Sequence, residues 1–258
     1  MSAPARVLDL LPHWLSEKVP RDHRESDAAF RRRRRVVAAT SLAGAGMLGA
    51  GLSTEPGSPA FYGMTLGTAA TWLVGGLASG RLHLGWMRTG DGLRRPVATP
   101  VLTGVGAFGA FYAAALVARR IPVLRRALSS VLSYADRGRT GLVLVTTLAN
   151  GAAEEVFFRG ALYAAVGERR PVLTSTGVYV LATVATRNPA LVLASGVMGT
   201  LFGLQRRSSG GIQAPMLTHV TWSTLMLRYL PPLFAEPPDD SRNEPRPSSS
   251  RSTSPSSV

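Results

Sequence analysis

Two adjacent carboxylates, Glu154 and Glu155, and the base Arg159 stand inside an apolar run that begins at Gly141 and reaches Val166. Glu154 lies thirteen residues into that run, and at ~1.5 Å per residue this is about 20 Å along a helix, near the middle of a bilayer. Insertion scales assign about 2.5–3.5 kcal/mol to one charged residue at that depth, so ionisable groups there face a bundle interior or a wet cavity. Glu155 and Arg159 are i,i+4 neighbours on one helical face, while Glu154 falls about 100° away on the adjoining one. Arg159 therefore neutralises only one of the two acids. One reading is a structural ion pair that braces helix packing. The other is a general base, Glu154, held in a small wet pocket with Glu155 and Arg159 fixed behind it.

The rest of the chain supplies the setting for such a helix. Apolar blocks alternate with short Gly, Pro and Arg punctuation, which predicts an all-α, polytopic membrane bundle of about six to eight helices enclosing an intramembrane cavity. The formal charge of +14 comes almost wholly from arginine, with Lys18 the one lysine. It sits in tails and loops, so its first meaning is topology and contact with anionic lipid at the basic segments, and nucleic acid is not an expected partner. The absence of cysteine excludes disulfides, thiolate nucleophiles and Cys-ligated zinc. Of the four histidines, His13, His23, His83 and His219, only His219 lies in an apolar block.

Four regions follow in order. Residues 1–35 are a basic tail ending in Arg31–Arg35, a positive-inside signal for a cytoplasmic N-terminus. Residues 36–139 hold the N-terminal membrane helices, with spans expected at 36–53, 60–79 and 97–117. Within this region, 119–139 is a basic amphipathic segment in which Val123, Leu124, Ala127, Leu128, Val131 and Leu132 recur at helical spacing. Its six arginines fall in a loop that simple alternation puts outside, against the charge rule. Residues 140–232 are the core, with spans at 141–166, 171–186, 190–205 and 212–230, and Ser195, Gly199 and Gly203 form a small-residue face suited to docking on the helix of Glu154. Residues 233–258 are a Pro/Ser-rich stretch expected to be disordered. An integral membrane protein is expected, and an Arg-rich, Lys-poor chain fits a bacterial cytoplasmic membrane.

The segment 140–230 resembles the CAAX-protease and bacteriocin-processing (CPBP, or Abi) intramembrane proteases, related to the Rce1-type prenyl endopeptidases. Glu154-Glu155-Val-Phe-Phe-Arg159 is similar to the family's first motif, Glu-Glu-x-x-x-Arg. Phe202-Gly-Leu resembles the start of the second, Phe-x-x-x-His, and His219-Val-Thr-Trp-Ser223 the third, His-x-x-x-Asn. Arg206 stands at the second-motif histidine and Ser223 at the third-motif asparagine. The resemblance implies peptide hydrolysis within the membrane, on a membrane-associated peptide or protein. Glu154 would activate water, Glu155 and Arg159 would orient the site, and His219 would position water or stabilise the oxyanion, with Ser223 supporting it. Phe202 and Arg206 would belong to binding or oxyanion support. Family members are described both as glutamate-type peptidases and as metalloproteases. A guanidinium stays protonated and cannot ligate metal, and a zinc site ordinarily has three protein ligands. Metal-free water activation is therefore favoured, and a divalent metal such as zinc on Glu154, Glu155 and His219 is the alternative. A catalytically inactive membrane scaffold or immunity-type protein of the same fold is the competing function.

Overall fold

A computed structural model describes Pro12, Leu15 and residues 25–89, 92–167 and 170–234. Most of the expected 1–35 tail, with His13 and His23, and all of 235–258 lie outside the described residues. The chain is an all-α bundle. Its helices are α1 (Asp27–Gly51), α2 (Pro59–Ala78), α3 (Ala98–Ala118), α4 (Pro122–Asp136), α5 (Thr140–Glu154), α6 (Pro171–Val184), α7 (Pro189–Ser209) and α8 (Gln213–Tyr229). A two-stranded hairpin, β1 (Met87–Thr89) and β2 (Gly92–Arg94), lies between α2 and α3.

Local sequence explains where the helices start and stop. Ser58 accepts from the Phe61 N–H at 3.1 Å and Pro59 opens α2, a side-chain cap followed by a residue whose missing N–H is of no consequence there. Asn188 does the same for α7, accepting from Ala190 and Leu191 at 3.0 and 3.1 Å ahead of Pro189. Gly210, at φ 71°, closes α7 in the left-handed conformation that glycine adopts without penalty. At the other boundary the sequence expectation shifts: α1 begins at Asp27, capped by Ser26, so Arg31–Arg35 are helical and the first span extends toward the tail. Arg33 is the buried one of the five. It ion-pairs with Glu25 and donates to Ser79 Oγ and the Arg81 carbonyl, each at 3.2 Å, tying the start of α1 to the end of α2.

Small residues let the helices approach. A Cβ on Gly44 would meet the Trp72 ring at 2.2 Å, and one on Gly75 would meet Thr40 Oγ1 at 2.2 Å, so α1 and α2 touch almost backbone to backbone. Trp72 then packs on Phe157 and Phe158, with ring centroids 4.8 and 4.9 Å away, at the centre of the main core cluster. The outside of the bundle is apolar as well: Leu42, Leu102 and Leu181 are 79, 69 and 71 % exposed. A water-facing bundle would hide such residues, whereas lipid is the solvent that accepts them.

Among the described residues, two helices are long and apolar enough to cross a membrane, Ala98–Ala118 and Thr140–Ala165. The sequence reading expects seven spans. The other five candidates fall short for visible reasons: α1 carries five arginines, α7 ends in Arg206-Arg207, and α6 and α8 have 14 and 17 residues. In α2, Gly, Thr and Ala dilute the hydropathy.

The two ends of the bundle are built differently. At one end, the 82–86 loop is fixed by backbone bonds from Ile212 N to His83 O (2.9 Å), Gln213 N to Leu84 O (3.0 Å) and Trp86 N to Ser209 O (2.8 Å). At the other end lies α4. The Tyr134 hydroxyl donates to the carbonyls of Leu52 and Thr54 at 2.8 and 2.9 Å, the Asn188 amide donates to Ala127 O at 2.8 Å, and Leu132 packs with Leu230.

Candidate active site

The helix that carries the acids changes its winding at them. After Glu154 the α-helix gives way to a π-helix over Glu155–Leu162, and α-geometry returns only at Tyr163–Ala165. The expected uninterrupted α-helix is thus interrupted at the acidic pair, and π-turns of this kind are frequent at functional sites. Every side chain from Glu155 to Leu162 is buried.

Glu155 faces into protein. Arg159 Nη1 donates to Glu155 Oε1 at 3.0 Å, and His219 Nδ1 reaches the same oxygen at 2.8 Å. Arg159 is enclosed by aromatic faces, its guanidinium carbon 4.6 Å from the Tyr179 ring centroid and 4.9 Å from that of Phe202. Such faces attract a cation through the ring quadrupole. Phe202 in turn stacks on the His219 imidazole, centroids 4.8 Å apart and planes 24° from parallel. The imidazole is therefore held on its face by Phe202 and at Nδ1 by Glu155. With a carboxylate at Nδ1, that nitrogen carries the proton, and the lone pair is left at Nε2. Nε2 lies over Gly151, where an added Cβ would come within 3.4 Å of it.

Glu154 faces a cavity of about 270 Å³. Asn150 Nδ2 donates to its Oε1 and the Tyr179 hydroxyl to its Oε2, both at 2.7 Å. Two neutral donors thus orient it without cancelling its charge. His219, Phe202 and Ser223 line the same cavity, and Thr183, Thr186 and Ser195 extend a polar wall away from the acids.

The structure accordingly brings Glu154, Glu155, Arg159, His219, Phe202 and Ser223 together. Arg206 stands apart. It does not line the cavity, against the expected part in binding or oxyanion support; buried on α7, its Nε donates to the Arg159 carbonyl at 2.6 Å, with its guanidinium over Tyr163. Its visible role is to tie α7 to the π-helix, whose altered ladder leaves carbonyls for outside donors. The small-residue face meets two neighbours: a Cβ on Gly199 would meet Thr176 and Tyr179 at 3.1 and 3.2 Å and Arg159 Nη2, on the helix of the acids, at 3.5 Å, and one on Gly203 would meet Val172 at 3.0 Å. That face packs on α6 and so presses Tyr179 toward Glu154.

Asn150 and Tyr179 are the site residues that sequence reasoning missed. Asn150 was detectable, since it precedes Glu154 by four residues on the same helical face. Tyr179 comes from another helix and carries no local signal.

A metal here would fall to the lone pairs that stay open, at His219 Nε2 and Glu155 Oε2. Both oxygens of Glu154 accept hydrogen bonds, while Glu155 Oε1 and His219 Nδ1 hold each other. Among the described residues no three of His, Asp and Glu cluster as metal ligands.

Residues 137–225, which contain every ionisable member of this constellation, match the family described as Type II CAAX prenyl endopeptidase Rce1-like. No curated protein and no solved structure matches the chain. The segment of this membrane protein that holds the buried acid pair and the imidazole is thus similar to the Rce1-like endopeptidases.

Proposed function

We propose that the chain is an intramembrane endopeptidase in which Glu154 activates the water that hydrolyses a peptide bond of a membrane-associated peptide or protein. The observation that carries this reading is the orientation of Glu154: a buried carboxylate held by two neutral donors and facing a cavity shared with an imidazole. The Rce1-like match supports a protease at that site.

In this mechanism the carboxylate of Glu154 takes a proton from water as the oxygen attacks the scissile carbonyl carbon. The tetrahedral intermediate gathers negative charge on the former carbonyl oxygen. The donors at hand are the Ser223 hydroxyl and, when the imidazole is protonated, His219 Nε2–H. Glu155 faces that imidazolium at Nδ1, and Arg159 holds Glu155 in place. The intermediate collapses with cleavage of the C–N bond as Glu154 returns its proton to the leaving amine. A new carboxyl terminus and a new amino terminus result, and the carboxyl of Glu154 is restored to its starting state. The chain sits in a bacterial cytoplasmic membrane with its N-terminus inside, a reading supported by the arginine-rich start of α1.

The test compares protein and peptide termini from membranes of cells expressing the wild type or Glu154→Gln at equal folded amounts. Termini found only with the wild type are the expected result. Identical termini, together with an unchanged phenotype, would sink the hydrolytic role and leave a non-catalytic scaffold.

A further inference from the structure

The six arginines on and beside α4 have no place in the chemistry above, and they stand where the charge rule does not want them. Arg119, Arg120, Arg125, Arg126, Arg137 and Arg139 are all exposed, and Asp136 is the single acid between the first and the last. Their end of the bundle lies opposite the end that carries Arg31–Arg35. The Tyr134, Asn188 and Leu132 contacts bring the α1–α2 turn, the α6–α7 turn and the end of α8 together beneath α4.

The cavity of Glu154 runs to this same end. Leu52, Thr186, Leu191 and, from α4 itself, Val131 line it alongside Glu154 and His219. On the opposite side of the acids, Leu82 abuts Gly160 and the 82–86 loop is bonded to the α7–α8 turn. One end of the site is closed by backbone hydrogen bonds. The other is roofed by α4, from which Val131 lines the cavity; its exposed face carries Arg125 and Arg126, with the other four arginines flanking it.

We propose that the arginine face of α4 is a capture surface for the acidic flank of a peptide substrate, which then passes beneath α4 to Glu154. The inference rests on the endopeptidase reading for what happens after capture, though not for capture itself. Guanidinium groups pair with Asp and Glu carboxylates through charge-assisted and bidentate hydrogen bonds. This end also carries the exposed acids Glu55 and Asp136, so its charge is a net excess of arginine; such an excess beside a low-dielectric cavity raises the local concentration of the opposite sign. An anionic lipid headgroup satisfies the same arginines, yet lipid alone gives no reason for them to gather at the end of the bundle that the cavity reaches. A peptide bound there is already at the cavity.

The experiment uses the full chain carrying Glu154→Gln, so that binding is read without cleavage, reconstituted in vesicles of phosphatidylcholine only. Two fluorescein-labelled peptides share one apolar middle; one has three aspartates on a flank and the other three asparagines. Fluorescence anisotropy should show the acidic peptide bound at least about tenfold more tightly, a preference that shrinks with added salt. Arg125→Glu with Arg126→Glu should remove the preference, and so should Arg137→Gln with Arg139→Gln, which reverses no charge. Arg31→Glu with Arg32→Glu, at the far end, should leave it intact.

Equal binding of the two peptides overturns the proposal, as does a preference that survives both α4 variants. Selective tightening by phosphatidylglycerol vesicles, with no peptide preference in neutral ones, overturns it in favour of a lipid surface. If the acidic preference holds while wild-type chain cleaves nothing, the capture surface stands and the endopeptidase reading falls.

Discussion

Glu154 and Glu155 are covalent neighbours that live in two different media. The Glu155 side of the helix is a charge lattice: one carboxylate, one guanidinium and one imidazole, walled by Phe202, Tyr179 and Phe158. The Glu154 side opens on a cavity, and among the described residues an amide and a phenol hydrogen-bond its carboxylate. Adjacent positions about 100° apart on a helix can thus be given opposite duties. The charge that is cancelled builds the site, and the charge that is left is the one available to react.

Substitutions that strip one side and spare the other sharpen this contrast. Glu154→Gln keeps shape and both donors' neighbourhood, so cleavage should fall by about 10²–10⁴-fold, the usual range for a general base, with the thermal midpoint little changed. Glu155→Gln reverses the pattern, because it leaves Arg159 buried without its counter-ion. A stability loss of about 3–5 kcal/mol is expected in detergent unfolding, larger than that of Glu154→Gln. If the two variants unfold alike, the division of labour between the acids is wrong.

A smaller effect belongs to Tyr179→Phe, which removes one donor from Glu154 and nothing from Glu155. Its loss of about 0.5–1.5 kcal/mol should show as a roughly three- to tenfold drop in turnover. Measured kcat should carry the change more than binding. Gly151→Ala has the smallest expected effect on the fold, and with the opposite sign. A methyl there adds helix propensity, about 1 kcal/mol, while it occupies space 3.4 Å from His219 Nε2. A variant that melts higher yet turns over more slowly is the expected outcome; unchanged turnover would mean that this face of the imidazole is not where substrate sits.

The sequence reveals the all-α bundle because lipid solvation imposes long apolar blocks, and Arg, Pro and Gly punctuate them wherever the chain turns. Glu155 and Arg159 are legible for a local reason, since i,i+4 contact is a property of one helix. His219 stands out as the one histidine in an apolar block. What the sequence hides is whatever crosses between helices. Tyr179 meets Glu154 only because Gly199 lets α7 press against α6. Arg206 looks like part of a basic pair with Arg207 and is instead buried against the π-helix backbone. The π-winding itself is hidden in the sequence, because Glu155 and Arg159 keep the four-residue spacing that an ordinary α-helix would also give them.

The burial of every π-helix side chain has a consequence for how this protein can vary. An amphipathic helix tolerates substitution in a rhythm, with permissive positions recurring every three or four residues where side chains reach solvent or lipid. From Glu155 to Leu162 no position is permissive, since each is enclosed by neighbours. A saturation scan of the chain should show the ordinary rhythm along α2 and α3, then an unbroken block of intolerance eight residues long. The signature of this segment in a set of variants is an interval of silence, not a period.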